Sequence, residues 1–388
     1  MTSKNITITS ESYGLLKLIK NVILSNFNRL MDENQIEEVV ATSYLNREFI
    51  PYAYIFAPTG KQNQEVAKSV NLGDEINLYL NSQKVGKIYV SSSFRHKNYW
   101  NFFSIFDANA IATTPKKEGE FCLSGAIEIY NDSLEKEKLE FKQTKKSLNL
   151  QKTTAIMLSA NPFHRVHERL IRMAIDKADF VILFLTRSLK ENAFDFELRL
   201  KTLNFFVENF LPKDRVKVIP FNNTTLFSEH KNPELECIAA YNFGANKVIL
   251  GQNHGSIGMF FDKNQPQTII DKVRANLDIE IFIMPEFVYC DECATIVSSK
   301  TCPHGSHHHV KYHSPTIREL LWAGVLPPTI LMRKDISALI LSEIHPERFK
   351  NLQEIYDNIF PSSGILETHS EFDFYKELAK LYQTTSLV

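Results

Sequence analysis

The chain has 388 residues, of which 44% are hydrophobic and 23% are charged, and its formal net charge at pH 7 is −1. This composition is typical of globular proteins, and the length is enough for two or three domains. The near-zero net charge argues against binding to nucleic acid or to an anionic membrane, and no apolar run reaches the ~18 residues of a membrane span. Because the N-terminal segment also lacks the pattern of a secretory signal, we expect a cytoplasmic protein without a membrane partner.

Residues 1–150 are predicted to form a small domain that is mostly β. Two segments with alternating apolar residues, 76–80 and 85–90, flank a short polar break, which is the pattern of a β-hairpin. The polar run 131–146 that ends this part is typical of a solvated face or a linker. We therefore expect a domain boundary near residue 150.

From residue 152 onward, apolar strands alternate with amphipathic helical patterns. The strands are predicted at 154–158, 180–185, 216–221, 247–250 and 279–284, with helices between them at 167–177, 196–210 and 234–243. This alternation predicts an α/β domain over 151–325, with a parallel sheet covered by helices on both faces. Ligands bind such sheets at the carboxyl ends of the strands. Residues 326–388 are predicted to form a small C-terminal helical domain, with helices at 334–344, 346–356 and 370–382.

The first strand of this predicted sheet ends in the segment 158–168 (LSANPFHRVHE). Asn161 is a favourable N-cap and Pro162 suits the first helical position, so a helix is predicted to begin here. His164 and His167 would then lie on one face of the first two turns. Unpaired N–H groups and the helix dipole favour an anion at such a helix end. The segment therefore predicts a phosphate site with two imidazoles beside it.

Two further segments have the character of ligand-binding loops. Residues 251–255 (GQNHG) follow a predicted strand, and the glycines permit close approach of the backbone to a ligand, although such a loop is more often a simple turn. In the second segment Ser314 is predicted to cap a helix that starts at Pro315, with Arg318 beside its first turn. This helix start suits a phosphate chain, and an ordinary capped helix with a surface arginine explains the pattern equally well.

A cysteine cluster lies between these two segments. Cys290, Cys293 and Cys302 fall close together, and His304 and His307 follow at once. The spacing favours a metal site over a disulfide framework, and structural zinc takes four such ligands. We predict one structural Zn2+ held by the three cysteines and one histidine. His307 is preferred to His304 because a single residue between Cys302 and His304 makes a tight chelate.

Taken in chain order, these segments resemble the motifs of the sulfate adenylyltransferase (ATP sulfurylase) family. Residues 161–168 (NPFHRVHE) resemble the family motif QTRNPxHRAHE, and residues 251–255 are similar to its GRDHAG loop. Residues 314–319 (SPTIRE) resemble the SGTxxRE helix start, and the cysteine cluster resembles a zinc insertion of some bacterial members. The resemblance covers nearly the whole chain. It implies a Rossmann-like nucleotidyltransferase domain of the HUP type, preceded by a PUA-like domain and followed by a small helical region.

The resemblance also implies a reaction. Sulfate would attack the α-phosphorus of ATP, with Mg2+ and without a covalent enzyme intermediate, to give adenylyl sulfate and pyrophosphate; such a transfer depends on positioning and charge neutralisation. The implied catalytic residues are Asn161, His164 and His167. The implied nucleotide-binding residues are Ser159, Ala160, Gly251, Asn253, His254, Ser314, Thr316 and Arg318. Family members commonly assemble, so the resemblance is compatible with a homo-oligomer.

The chain departs from the family pattern on the sulfate side of the motif. Leu158 and Ala160 stand where the family has Gln and Arg, and Gln252 and Asn253 stand where its second loop has Arg and Asp. Loss of a cation from an oxyanion site typically costs a few kcal/mol, or a factor of roughly 10²–10³ in binding or rate. The nucleotide half of the predicted site is therefore kept, whereas the sulfate half is altered.

Three hypotheses follow from these residues. The first is a sulfate adenylyltransferase in which another cation, such as Arg187, Arg199 or Lys231, serves the acceptor. The second is an adenylyltransferase with a different, less anionic acceptor, which the apolar Leu158 and Ala160 favour. The third is a non-catalytic protein that binds a nucleotide or RNA. The low net charge argues against RNA, and the retained histidine pair argues against the loss of all chemistry.

Overall fold

The structure is a computed structural model, and it describes residues 4–97, 102–105, 119–255, 269–362 and 364–382. Its two largest sheets have five strands each, one in the N-terminal part of the chain and one in the centre. Within the described residues, no helix is both long enough and apolar enough to cross a membrane.

The N-terminal part combines a mixed sheet with short helices. Its strands are β1 (Lys4–Thr7), β2 (Arg29–Leu30), β3 (Tyr44–Leu45), β4 (Glu48–Phe49), β5 (Ala53–Ile55), β6 (Glu75–Leu80), β7 (Gln83–Arg95), β8 (Phe102–Ser104) and β9 (Phe121–Ile129). Its helices are α1 (Ser10–Lys20), α2 (Glu33–Thr42), α3 (Lys61–Ser69) and α4 (Ser133–Ser147). The main sheet has the order β1-β6-β7-β9-β2, and β6 and β7 form the predicted hairpin. The polar run predicted as a boundary forms α4, which Asp132 caps and which buries Leu134 and Phe141.

The rest of the chain forms the central sheet, a small antiparallel sheet and the C-terminal helices. The strands are β10 (Thr153–Leu158), β11 (Phe180–Thr186), β12 (Val216–Phe221), β13 (Lys247–Gly251), β14 (Glu280–Met284), β15 (Phe287–Cys290), β16 (Thr295–Ser298) and β17 (His309–Lys311). The helices are α5 (Arg165–Ile175), α6 (Phe196–Phe210), α7 (Pro233–Phe243), α8 (Ile269–Asn276), α9 (Ser314–Trp322), α10 (Lys334–Ile344), α11 (Leu352–Ile359) and α12 (Glu371–Leu381).

The predicted parallel sheet is confirmed. Its strand order is β12-β11-β10-β13-β14, and each neighbouring pair runs parallel. The chain moves outward from β10 to β12 and then returns to place β13 on the other side of β10. The strand order therefore reverses between β10 and β13, and α/β sheets bind ligands outside the carboxyl ends of the strands at such a reversal. The loops that follow β10 and β13 border this position.

Both faces of the central sheet are buried, which explains the apolar runs of its strands. Along β10, Ala155 and Met157 join a core that continues into the N-terminal part, whereas Ile156 and Leu158 join a second core on the opposite face. Helices α5, α6, α9, α10 and α12 close this second core. The helix predicted at 346–356 begins only at Leu352, because Glu347 has a left-handed backbone with φ of +58°.

Candidate active site

The loop after β10 leads into α5, whose N-cap is His164. The prediction that this helix begins at Asn161 and Pro162 was therefore wrong. The Asn161 side chain has a different partner, since its Oδ1 accepts a hydrogen bond from the backbone N–H of Phe194 at 3.1 Å. The backbone N–H of His164 instead donates to Nδ1 of His167 at 3.2 Å, so the second histidine of the motif supports the first turn of the helix.

Two buried arginines hold the backbone of this loop. Arg199 in α6 donates from Nη1 to the carbonyl oxygens of Ser159 at 2.6 Å and Thr186 at 2.9 Å. Arg318 in α9 donates from Nη1 to the carbonyl oxygen of Asn161 at 2.7 Å. Only 3% of Arg199 and 6% of Arg318 are exposed. The hypothesis that Arg199 serves the acceptor is not supported, because the side chain is buried and its Nε and Nη1 donate to backbone carbonyl oxygens.

His164 and His167 stack against each other, with ring centroids 3.8 Å apart and an interplanar angle of 27°. Burial and the neighbouring His167 hold the pKa of His164 well below its usual range. Burial, with a smaller effect of His230, lowers the pKa of His167 to about 3. Both imidazoles are therefore neutral at pH 7, and each can donate one hydrogen bond. Nε2 of His164 also lies 3.4 Å from the Ser314 hydroxyl, which links the pair to the start of α9.

A second histidine pair lies nearby, and only one of its two histidines was predicted from the sequence. His230 and His254 stack with ring centroids 3.8 Å apart and planes 8° from parallel. The fully buried Glu236 of α7 contacts both, with Oε1 at 2.9 Å from Nδ1 of His230 and Oε2 at 3.5 Å from Nδ1 of His254. His254 was expected from the loop after β13, whereas His230 and Glu236 were missed. A signal was present, because Glu236 interrupts the apolar run 235–240 (LECIAA), and a buried carboxylate needs a partner.

His230 is presented from a strained turn. Glu229 and His230 both have left-handed backbones, with φ of +56° and +53°, a conformation that costs about 1–3 kcal/mol per residue. The turn is anchored by the Glu229 carboxylate, which accepts a hydrogen bond from the Ser188 hydroxyl at 2.9 Å and pairs with Lys190 at 2.9 Å. Backbone strain of this kind clusters at functional sites, and here it sets the position of an imidazole.

Both histidine pairs line one cavity of about 360 Å³, bordered by the ends of β10 and β13. Five of the predicted site residues lie in its wall, namely Ser159, His164, His167, Gly251 and His254. Much of the remaining wall is apolar, and it is formed by residues that include Leu158, Val166, Leu170, Ile249, Met284 and Phe287. The structure therefore brings the first motif and the loop after β13 together, as predicted.

The other predicted site residues lie outside this wall; they are Ala160, Asn161, Asn253, Ser314, Thr316 and Arg318. Ala160 is only 2% exposed and packs into the core with a left-handed backbone. Ser314 is the first residue of α9 rather than its cap, and His313 occupies the cap position. The Thr316 hydroxyl lies 2.8 Å from Nδ1 of His313. His313 lines the cavity. Thr316 therefore contacts a wall residue without lining the cavity itself.

The cysteine cluster lies at the small sheet of β15, β16 and β17, shortly before α9. Sγ of Cys293 is 3.8 Å from Sγ of Cys302, and Nδ1 of His304 lies 3.3–3.7 Å from the sulfur atoms of Cys290, Cys293 and Cys302. Tetrahedral zinc, with Zn–S near 2.3 Å and Zn–N near 2.0 Å, places its ligand atoms about 3.5–3.8 Å apart. The four side chains therefore fit a zinc ion.

The preference for His307 over His304 was wrong. His304 joins the three cysteines, whereas the ring of His307 packs on His308 with centroids 4.2 Å apart. The short connection from Cys302 to His304 is tolerated because His304 turns Nδ1, the ring nitrogen nearer its backbone, toward the sulfur atoms.

Comparison with known proteins supports the resemblance seen in the motifs. A family model described as ATP-sulfurylase matches residues 132–343. The sulfate adenylyltransferase of Persephonella marina is 22% identical over 354 residues, which cover 88% of this chain and 91% of that protein. The sulfate adenylyltransferase of Chloroflexus aurantiacus is 28% identical over 190 residues, which cover 48% of this chain and 50% of that protein.

Among solved structures, the chain resembles the hexameric APS kinase from Thiobacillus denitrificans, with a TM-score of 0.65 and 14% identity. The match covers 89% of this chain and 64% of that one, so the chain spans just under two thirds of its length. At this identity the likeness concerns the fold alone. The family match, by contrast, extends over more than half of the chain and includes both histidine pairs and the cysteine cluster. The chain belongs to the ATP-sulfurylase family and is a nucleotidyltransferase.

Proposed function

We propose that the protein transfers the adenylyl group of ATP to sulfate, giving adenylyl sulfate and pyrophosphate. The observation that carries this proposal is the convergence of two stacked histidine pairs on one cavity at the strand-order reversal of the parallel sheet. Nucleotides bind parallel sheets at this position. Relatives named sulfate adenylyltransferase support sulfate as the acceptor.

In the proposed reaction a sulfate oxygen attacks the α-phosphorus of ATP in line with the departing pyrophosphate. One P–O bond forms to sulfate, and the bond from the α-phosphorus to the oxygen that bridges it to the β-phosphorus breaks. Negative charge is spread over the oxygens of the transferred group. His164 and His167, which are neutral and fixed by stacking, donate N–H hydrogen bonds to those oxygens. Mg2+ bound with ATP would neutralise charge on the phosphates.

Four of the predicted residues act in this proposal by positioning others. Asn161 and Arg318 hold the loop that precedes His164, and Ser314 contacts the His164 ring. Gly251 leaves room for His254, because a Cβ at this position would lie 2.9 Å from the His254 ring. Ser159 and His254 remain the candidates for direct contact with the nucleotide.

A second candidate function is adenylyl transfer to a less anionic acceptor, and the cavity wall favours it. Leu158 lines the cavity, and Ala160, where the family has Arg, is buried away from it. Lys311 is the only lysine or arginine among the described residues that line the cavity. Arg187, Arg199 and Lys231, the alternative cations, all lie outside the wall.

Pyrophosphate release from MgATP tests both functions. The protein is incubated with sulfate, with molybdate and with a panel of carboxylate and phosphate acceptors, and the His164→Ala variant serves as the inactive control. Release that depends on sulfate, with adenylyl sulfate as the product, would support the first function. Release with another acceptor alone would move the assignment to the second. Tight ATP binding without release for any acceptor would contradict both.

We also propose that Cys290, Cys293, Cys302 and His304 hold one structural Zn2+. The four side chains complete a tetrahedral set, and a closed set of this kind is typical of structural rather than catalytic zinc. Strand β17 and helix α9 follow the cluster directly. The metal would therefore fix the chain that delivers His313 and Ser314 to the cavity.

A further inference from the structure

Glu236 has no role in the reaction as proposed, although it is completely buried beside the cavity. Its side chain has 0% exposure, and its ion-pair partners in the described structure are His230 and His254. A buried carboxylate without a compensating positive charge is very costly. Glu236 therefore requires a cation, and the two imidazoles that contact it are the groups in a position to provide one.

We propose that Glu236 holds His230 as an imidazolium and that this positive charge binds an oxyanion in the cavity, either the phosphate chain of ATP or the acceptor. The identity of the anion rests on the proposed function. The pairing of Glu236 and His230 would supply positive charge that Ala160 and Gln252, which stand where the family has arginines, do not provide.

The geometry directs this charge toward the cavity. Nδ1 of His230 donates to Oε1 of Glu236 at 2.9 Å, and Nδ1 of His254 lies 3.5 Å from Oε2. Both rings line the cavity, whereas Glu236 lies outside its wall. With Nδ1 turned to Glu236, Nε2 is the remaining nitrogen of each ring. In His254, Nε2 lies beside Gly251, which also lines the cavity. A Cβ placed on Gly251 would be 2.9 Å from this nitrogen.

The charges around His230 favour its protonated form. Burial alone would lower the pKa of His230, but the charge and hydrogen bond of Glu236, with help from Glu229, outweigh burial and an opposing effect of Lys190, so the pKa is raised. Although burial opposes ionisation of Glu236, the two histidines lower its pKa to about 2. Burial and the neighbouring His230 lower the pKa of His254. These opposite shifts favour His230 over His254 as the site of the positive charge.

A metal ion is the alternative partner for this cluster, since two histidines and a carboxylate commonly bind one. The stacking argues against it. The lone pair of each Nδ1 lies in the plane of its ring, and the two planes are 8° from parallel with centroids 3.8 Å apart. One ion cannot lie in both planes at the bonding distance of about 2.0–2.1 Å from each nitrogen. A proton on His230 satisfies the same carboxylate without that conflict.

The Glu236→Gln variant tests the proposal, because it keeps the size of the side chain and removes its charge. Binding of MgATP, pyrophosphate and sulfate is measured separately by calorimetry between pH 6 and pH 9. We expect the variant to bind the anion that occupies the site about 10-fold more weakly at pH 7, since a charge-assisted hydrogen bond becomes a neutral one. Weaker binding of MgATP and pyrophosphate would identify the phosphate chain, and weaker binding of sulfate alone would identify the acceptor.

The pH dependence gives a second, independent readout. In the wild-type protein the affinity should be full at low pH and should fall as the pH rises through the raised pKa of His230. In Glu236→Gln the same loss should occur at lower pH. Imidazole ¹⁵N NMR should show both ring nitrogens of His230 protonated at pH 7 in the wild type and only one in the variant. The NMR and pyrophosphate measurements need no turnover, so failure of the sulfate assay would not affect them.

Glu234→Gln is the matched control. Glu234 is a buried carboxylate on the same helix, but it accepts a hydrogen bond from Tyr52 at 2.9 Å and lies outside the cavity wall. This variant should bind anions as the wild type does. A double-mutant cycle with His230→Gln tests the link, because Glu236→Gln should cost nothing further once His230 is absent.

Three results would overturn the proposal. The first is a neutral His230 at pH 7 in the wild-type protein. The second is unchanged binding of all three anions in both Glu236→Gln and His230→Gln. The third is a metal ion, additional to that of the cysteine cluster, that elemental analysis finds in the wild type and not in Glu236→Gln. His230→Gln keeps the test valid if Glu236→Gln fails to fold.

Discussion

Arg318 donates a hydrogen bond from Nη1 to the backbone carbonyl oxygen of Asn161 at 2.7 Å, between residues 157 positions apart in the chain. The bond joins α9 to the loop that precedes α5. Because Ser314 at the start of α9 also contacts His164, the two helix starts form one unit at the cavity. A change at Arg318 should therefore reach His164 and His167, although Arg318 itself does not line the cavity.

Arg318→Lys should raise the KM for ATP about 10-fold and lower the free energy of unfolding by about 1–2 kcal/mol, because a lysine in this buried position keeps the charge but not the geometry of the guanidinium. Steady-state kinetics and thermal melting check the two effects. Arg274→Lys, in a half-exposed ion pair with Asp271, is the control and should change neither. An Arg318→Lys protein with wild-type KM and melting temperature would contradict the role of this bond.

His164→Ala should lower the rate of pyrophosphate release by roughly 10²–10³, the usual effect of removing one hydrogen-bond donor to developing charge. His164→Asn should retain more activity, because the amide keeps an N–H donor. Single-turnover assays measure the rates, and circular dichroism together with zinc content checks the fold. Equal losses in the two variants would show that His164 acts by packing on His167 rather than by donation.

Much of this fold could be predicted because the apolar pattern of each strand is a local property. The starts of α6 and α10 were also predicted correctly, whereas those of α5 and α9 were not, because tertiary partners replaced the expected local caps. The Asn161 side chain binds the backbone of Phe194, and His313 takes the place expected for Ser314. The pairing of His230 with His254 was equally hidden, since it depends on α7 and β13 bringing two loops together. In the sequence this site was marked by His254 in the loop after β13 and by Glu236, a carboxylate within an apolar run.

His167 should make the protein less stable in acid. Its pKa is about 3 in the folded protein and about 6.5 in an unfolded chain. The unfolded state therefore binds the proton first, and the contribution of His167 to stability is full above about pH 6.5 and is lost as the pH falls toward 3. At pH 5 this loss amounts to about 2 kcal/mol.

His167→Gln tests this linkage, since the glutamine side chain can still accept the hydrogen bond from the backbone of His164. Its melting temperature should fall less between pH 6.5 and pH 5 than that of the wild type. Titrating groups that do not interact with His167 contribute equally in both proteins and cancel in the difference. If the melting temperatures of both proteins fell by the same amount between pH 6.5 and pH 5, His167 would not stay neutral in the folded protein.

Zinc analysis of two neighbouring variants tests the ligand set. We expect one Zn2+ per chain in the wild type and in His307→Ala, and loss of the metal in His304→Ala. In the zinc-free variant, amide hydrogen exchange in α9 should be faster and ATP binding weaker, because the cluster directly precedes that helix. Absence of zinc from wild-type protein purified without chelators would refute the site, and loss of zinc from His307→Ala alone would refute the assignment of His304.

Gly251→Ala should disturb the second histidine pair without changing any charged residue. The three atoms nearest to a Cβ at this position all belong to the His254 ring, and the shortest distance is 2.9 Å. The ring must therefore shift, which disturbs its stacking on His230, and we expect MgATP to bind about 10-fold more weakly, the effect of losing one good contact. In a His254→Ala background the same change meets no ring, so it should have no further effect on affinity. Calorimetry on the two single variants and the double variant measures the coupling; fully additive losses would mean that Gly251 acts directly on the nucleotide and not through His254.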